Sequence, residues 1–519
     1  VSIPKVVGLE QEYAIKLKPG DENLTAFDAS NALIGCYARE IGLREPGVRM
    51  IWDYGHETPF QDIRGGENGK STGQQIVDPE ENRRINTCLP NGARLYTDHA
   101  HPEYSTPECR GALDALACDK AGERILLQAL NSLNRDLPWY QASLYKNNID
   151  HQGHSFGSHE NYLIEAEAHQ DFLVEHPETA LRFLLPFLVS RQVLAGAGRV
   201  AGAGGPGRPY KISQRAEFME AVFGLETMYQ RPLINTREEH HADPHRFRRL
   251  HLILGDANMC EIAGFIKLGS TQLVLQMMED GFLKEDLALA DPLAAVRIIA
   301  DQHDAAVELA DGRRLNAAQL QQIYCRAAED YLRAGVAETP PQAELVVQCW
   351  QEALDGLAAF KLGDDLEIEE DPGDLCGKLD WVLKLWLLNR FRAVKGLAWG
   401  ASQLKVLDLQ YHNIEPGQSL FYRAQEQGLV KRLLNDDRIE HFRQHPPEDT
   451  RAYFRGKCIE RFPRDLFLVN WEIVGFDDGE VHRMVPLLNP LKGTKRLCQP
   501  LLERAQNAQI LLALLQGEA

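Results

Sequence analysis

NGARLYTDHAHPEYSTPE, residues 91–108, places a strand directly before a dense run of polar chemistry. Within ARLYTD (93–98), Arg94, Tyr96 and Asp98 share one face, and Ala93, Leu95 and Thr97 share the other. His99, His101, Glu103 and Glu108 follow within ten residues. The planar fork of an arginine suits phosphate oxygens. A carboxylate beside bound metal serves as base or nucleophile when its protonated form is disfavoured. A second segment, PKVVGLEQEYAIK (4–16), repeats the theme and is expected to form one strand. Val7, Leu9, Tyr13 and Ile15 line its apolar face, interrupted by Gln11, and Gly8, Glu10, Glu12 and Ala14 line the other. Carboxylates two apart on a strand lie roughly 6.5–7 Å apart. They raise each other's pKa unless a cation intervenes. Magnesium, which takes hard oxygen ligands and bridges phosphates, answers that need; a solvated edge strand would carry the same pair.

Histidines supply further candidates. SFGSHENYLI holds His159, and TREEHHADPHRFRRLH holds His240, His241, His245 and His251 beside Arg246, Arg248 and Arg249. The basic run reads either as a solvated helix face or as a phosphate clamp or basic dock, and spacing leaves both open. Other motifs fail their context. AGAGRVAGAGG (195–205) lacks the strand–turn–helix setting of a dinucleotide fold, and GGENGKSTG (65–73) has Arg64 where a P-loop needs its first glycine. The GKSTG string has no strand before it, and no H-E-x-x-H occurs.

At 519 residues the chain exceeds one compact core, so a large domain with a smaller one is expected. Net charge is −19, which excludes a general nucleic-acid binder. Ten cysteines without a C-x-x-C pair exclude a zinc ribbon and fit a reducing cytoplasm. VSIPKVVGLE does not read as a signal peptide, and residues 181–200 carry Arg182, Arg191 and Arg199, a poor membrane span. The expectation is a cytoplasmic protein with no membrane partner. Helices are expected at 29–41, 107–133 and 178–194, and over most of 243–290 and 295–360. Loops are expected at 62–91 and 202–209, and the Pro-rich HPPED (445–449) reads as a domain boundary.

GLEQEYAI (8–15), NGARLYTDHAHPEYSTPEC (91–109), LYKNNID (144–150), GSHENYL (157–163), PFLVSRQVLAGAGRV (186–200), ISQRAEF (212–218), INTREEHHADPHRFRRLHLILGDANMCE (234–261), LDLQYH (407–412) and DTRAYFRG (449–456) run in order over nearly the whole chain. In them the chain resembles the Dop/PafA family of Pup deamidase/depupylases and Pup ligases, which are similar to glutamine synthetase and carboxylate–amine ligases. The resemblance implies an α+β fold. A large catalytic domain (1–445), with a curved antiparallel sheet packed by helices and an insert at about 52–90, would precede a small C-terminal domain (446–519). It implies magnesium ligands at Glu10, Glu12, Tyr96, Glu103, His159 and His241, and a catalytic Asp98. Nucleotide contacts would come from Arg94, Thr106, Asn161, Arg215, Arg237 and Trp471.

DHAHPEYS and the segment WDYGHETPFQDIRG (52–65) resemble the hydrolase branch. The implied reaction is ATP- and magnesium-dependent hydrolysis of the C-terminal glutamine side-chain amide of Pup, or of the isopeptide bond between Pup and a substrate lysine. ATP would be bound and not consumed at each turnover. The implied partners are Pup, or a Pup-like tag, and pupylated proteins, and an acidic tag would need a locally basic groove on this acidic chain. A Pup ligase, a small-molecule carboxylate–amine ligase and a silent tag-binding adaptor are the alternatives. Gln11, Ala14, Gly55, His56 and His240 depart from the family pattern without removing a proposed ligand.

Overall fold

The computed structural model describes residues 2–18, 24–43, 58–64, 86–150, 153–201, 207–363, 365–368, 373–477 and 481–517. Its central element is a six-stranded sheet. The strands in chain order are β1 (Val7–Glu12), β2 (Ala14–Leu17), β3 (Thr58–Asp62), β4 (Asn86–Cys88), β5 (Arg94–Asp98), β6 (His101–Ser105), β7 (Ala142–Tyr145) and β8 (Ser158–Glu165). They continue as β9 (Arg199–Val200), β10 (Tyr210–Lys211), β11 (Met219–Gly224), β12 (Arg231–Asn235), β13 (Arg237–Glu238) and β14 (Phe247–Leu252). The sheet has the order β14-β8-β1-β6-β5-β4, and each neighbouring pair is antiparallel. With helices packed on its apolar side, the fold is α+β. Leu9, Tyr162, Leu250 and Leu252 enter one hydrophobic cluster with the long buried helix Glu261–Glu279. Leu95 and Tyr104 enter a second with the helices Ala26–Glu40 and Ala112–Asp136.

Residues 4–16 do not form one strand. The chain breaks at Tyr13, whose N–H donates to the Pro102 carbonyl at 3.0 Å, and β2 leaves to pair with β7. β1 is no edge strand either, for it lies between β8 and β6. The expectation of helix over most of 243–290 is corrected by β14; only Glu261–Glu279 is a long helix there. FRRLHL alternates because Leu250 and Leu252 enter the core while Arg249 and His251 face the opposite side of the sheet. Within 295–360, a hairpin of β15 (Ala306–Glu308) and β16 (Arg314–Asn316) separates the helices.

Most of the expected insert at 52–90 and residues 202–206 of the glycine loop lie outside the described residues. Of the insert, β3 pairs with β13, and β4 closes one side of the large sheet. The expected boundary at 445/446 falls between the helices Asp436–Gln444 and Ala452–Arg461. Beyond it, β17 (Leu466–Val469), β18 (Ile473–Asp477) and β19 (His482–Pro486) make a three-stranded antiparallel sheet. Val469, Val474 and Phe476 share their hydrophobic cluster with Leu33 and Ile34 of the helix Ala26–Glu40. Among the described residues no helix is long and apolar enough to cross a membrane.

Candidate active site

Antiparallel partners project to the same face of a sheet. The register sets Glu10 opposite both Ser105 and His159, Glu12 opposite Glu103, and Glu103 opposite Tyr96. It also sets Arg94 opposite Ser105, Asp98 opposite His101, and Asn161 opposite His251. Five strands thus deliver Glu10, Glu12, Arg94, Tyr96, Asp98, Glu103, His159, Asn161 and His251 to one polar face.

Two groups form on that face. In the first, one ligand atom each from Glu10, His159 and His251 lie within 4.8 Å of one another. His159 Nδ1 reaches Glu10 Oε2 at 3.2 Å, and Asn161 Nδ2 donates to Glu10 Oε1 at 2.9 Å. Arg249 Nη1 donates to Asn161 Oδ1 at 2.6 Å and approaches Glu10 Oε1 at 3.4 Å. Burial opposes ionisation of Glu10, but the His159 hydrogen bond and the Arg249 charge hold its carboxyl well below the usual range. Burial, reinforced by Arg249, pushes the His251 imidazole well below its usual value, so the ring stays neutral.

In the second group, ligand oxygens of Glu12, Asp98 and Glu103 lie within 4.8 Å of one another. The Gly157 N–H donates to Glu12 Oε1 at 2.6 Å, and a side chain at Gly157 would stand 2.5 Å from that oxygen. His101, stacked on Phe156 at 4.5 Å, meets Glu12 Oε2 at 2.9 Å. His99, at φ 50°, pairs with Asp98 Oδ2 at 2.9 Å. The Tyr96 hydroxyl donates to Glu103. Burial and the neighbouring charges of Asp98, Glu12 and Glu10 push Glu103 well above the carboxylate range.

A cleft opens at the Val7 end of β1, lined by Gly8, Thr106, Asn161, His241, Arg451 and Trp471. Thr106 Oγ1 accepts from the Leu9 N–H at 2.9 Å, which binds the cleft floor to β1. Arg94 is buried, with its guanidinium over the Tyr96 ring at 3.6 Å and Nε donating to Asn86 Oδ1 at 2.8 Å. Trp471 is held from behind by Arg455, which lies over its ring at 4.8 Å and donates to its carbonyl at 3.2 Å. Glu108 fixes that corner by accepting from Arg451 Nε at 2.6 Å and pairing with Arg455.

Three expected contacts are placed differently. His241 lines the cleft but stands 3.9 Å from Glu239 and does not join the Glu10 group, whose second histidine is His251. Arg215 is 1% exposed, donates to the carbonyls of Phe156 and Ile253, and does not line the cleft. Arg237 donates at 3.4 Å to the Leu225 carbonyl and sits opposite Asp62 of the insert strand. The sequence reading named His251, Arg249 and His101 among its candidates without giving them a place in the metal or nucleotide sets, and it did not single out Gly157. The alternation in FRRLHL carried a signal for the first two. For Gly157, which only the fold brings against Glu12, there was none.

A family model described as Pup-ligase protein matches residues 5–475. The chain is 42% identical to a depupylase of Acidothermus cellulolyticus, covering 99% of both chains. It is 40% identical to a Pup deamidase/depupylase of Mycolicibacterium smegmatis, covering 97% of this chain and 98% of that one. Similarity to a Pup–protein ligase of Acidimicrobium ferrooxidans is 40% and covers 79% of this chain and 87% of the relative. Among solved structures, the complex between Pup and its ligase PafA matches with a TM-score of 0.75 at 29% identity, covering 96% of this chain and 91% of that one. The Pup ligase PafA in complex with ADP matches with a TM-score of 0.69 at 31% identity, covering 86% and 98%.

Proposed function

The chain belongs to the Pup-ligase protein family, and from that premise we propose that it is a Pup deamidase and depupylase. It hydrolyses the side-chain amide of the C-terminal glutamine of Pup, and the isopeptide bond between the terminal Pup glutamate and a substrate lysine. Pup and pupylated proteins are its partners. The sequence match to the hydrolases along nearly the whole chain carries this choice over the ligase, whose sequence matches a smaller share of it.

The cleft beside Trp471 and Thr106 is the nucleotide site in this reading, with residues 446–519 supplying Trp471 as a small C-terminal domain. ATP binds there and is not spent at each turnover. Of the two donor sets, Glu12, Asp98 and Glu103 offer only hard carboxylate oxygens and fit magnesium, while Glu10, His159 and His251 join one carboxylate to two imidazoles, with both His251 ring nitrogens buried and without a hydrogen-bond partner among the described residues. Glu10, His159 and His251 would hold one ion, and Glu12 and Glu103, with Tyr96 beside them, another. Bound magnesium supplies positive charge that polarises the amide carbonyl oxygen.

Asp98 ends β5 partly exposed, with one carboxylate oxygen fixed by His99. It delivers the attack on the amide carbonyl carbon, by itself or through water. The C–N bond breaks, the carbonyl carbon gains oxygen from water, and ammonia or the lysine amine leaves with the proton. Gly157 and His101 orient Glu12, and Asn161 and Arg249 orient Glu10, so neither carboxylate must reorganise during turnover. Asp98→Asn should lower turnover by about 10³- to 10⁴-fold while nucleotide binding persists. Mass spectrometry of glutamine-ended Pup with magnesium and ATP reads the deamidation, and substantial turnover by that variant would refute the assignment.

A further inference from the structure

Seven arginines surround the polar face and its cleft, and six are engaged by the protein, Arg237 among them through the Leu225 carbonyl and Glu239. Arg249, Arg451 and Arg455 are paired with Glu239 or Glu108. Arg94 is buried over Tyr96, and Arg215 is buried on backbone carbonyls. Arg231 differs. It opens β12 half-buried, with Nε donating to the Thr227 carbonyl and Nη2 to the Ser155 carbonyl, both at 2.8 Å. Among the described residues no carboxylate stands within salt-bridge distance of it. Glu12 and Glu220 are the acidic groups whose field reaches it. Its guanidinium also lies 6.0 Å from the Phe218 ring centroid, and a half-buried guanidinium with carbonyl and ring partners but no carboxylate keeps much of its charge available for an anion.

Its position says which anion. Ser155 precedes Phe156, which stacks on His101, and Gly157, which donates to Glu12. Arg231 therefore belongs to the Glu12–Asp98–Glu103 end of the sheet. The Trp471 cleft runs from the Val7 end of β1 as far as Glu10, about 7 Å short of Glu12 by strand rise. A nucleotide seated there would leave the Asp98 end to the peptide substrate. The terminal residue of that peptide carries a free α-carboxylate a few bonds from the side-chain carbonyl under attack. We propose that Arg231 is a specificity residue that receives this α-carboxylate and so restricts cleavage to a chain-terminal glutamine or glutamate. This inference rests on the amidase reading given above.

The test uses the full chain with magnesium, ATP and two glutamine-ended tags, one with a free terminal carboxylate and one with a terminal carboxamide. The wild type should lose about 10- to 100-fold in kcat/KM on the carboxamide. Arg231→Ala should lose a similar factor on the free acid, the two losses should not multiply, and Arg231→Lys should recover part of the activity. A role confined to anchoring the Thr227 loop would weaken both tags equally, and multiplying losses would overturn the proposal. So would a raised KM for ATP with an unchanged KM for the tag. Should Arg231→Ala fail to fold, Arg231→Gln replaces it, and equal wild-type turnover of the two tags is itself a refutation. A wild type that turns over neither tag instead removes the amidase reading.

Discussion

Glu103 and Glu108 lie five residues apart, on β6 and just beyond it, and their surroundings obey opposite rules. Glu103 shares its space with Asp98, Glu12 and Glu10, and together with burial they push its carboxyl well above the usual range. Glu108 sits between Arg451 and Arg455, whose charges overcome burial and hold it at about 2. One cluster crowds carboxylates together, and the other sets a single carboxylate between two guanidinium ions. Burial alone therefore does not mark a functional carboxylate. Uncompensated charge, tolerated at a cost to folding, marks the place where a cation and a reaction belong. The paired charge at Glu108 instead joins the region beyond residue 445 to the six-stranded sheet.

Glu103→Gln probes the first half of this contrast and should produce the largest effect. Turnover should fall on the order of 10³-fold, because a carboxylate of the proposed cation site is lost. Stability should move the other way. A carboxyl with a raised folded pKa contributes favourably below the ordinary range, near 4.5, and that contribution is lost as pH rises through the raised value. At neutral pH without magnesium the variant should therefore be more stable by about 1–2 kcal/mol. Thermal melts with and without magnesium check this, and a destabilised, magnesium-free Glu103→Gln would break the contrast.

Glu108→Gln probes the second half. It leaves Arg451 and Arg455 buried without their anion, which should cost about 3 kcal/mol at neutral pH. Glu108 has a depressed folded pKa, so its contribution is complete above the ordinary value of 4.5 and disappears as pH falls toward about 2. The wild-type and variant stability curves should converge across that acid window in denaturant titrations. Parallel curves would show that the arginines do not stabilise the ionised form.

The difference between the two glutamates bears on what a sequence can reveal. Strand alternation placed Arg94, Tyr96 and Asp98 together, and Glu10 with Glu12, because side-chain direction along a strand is a local property. Which strands adjoin is not local. The pairing of β1 with β6 and β8 brings Glu12 against Glu103 and Glu10 against His159, and only the family resemblance suggested those groupings. Glu108 was noted as one more acid of the run because its arginines lie more than 340 positions away. The break at Tyr13 was illegible for the same reason, since a tertiary contact with Pro102 ends a pattern that alternates straight through it.

Histidine placement makes the same argument at smaller scale. His241 and His251 both flank the basic run, and the resemblance favoured His241 as a ligand. The strand geometry of β14 favours His251, which stands opposite Asn161 with Nε2 3.7 Å from Glu10 Oε2. His241 lies at φ 49°, off the regular strand, and faces Glu239. A ligand must be neutral when it binds, and the burial that depresses His251 keeps it so at neutral pH. Manganese titration should show His251→Ala weakened by about 10- to 100-fold, with His241→Ala little changed. The converse result would return the ligand role to His241 and make His251 a neutral wall of the Glu10 group. Loss in both would mean that the cleft and the proposed cation site share one electrostatic field, so that the excess charge around Glu103 extends to the Trp471 cleft.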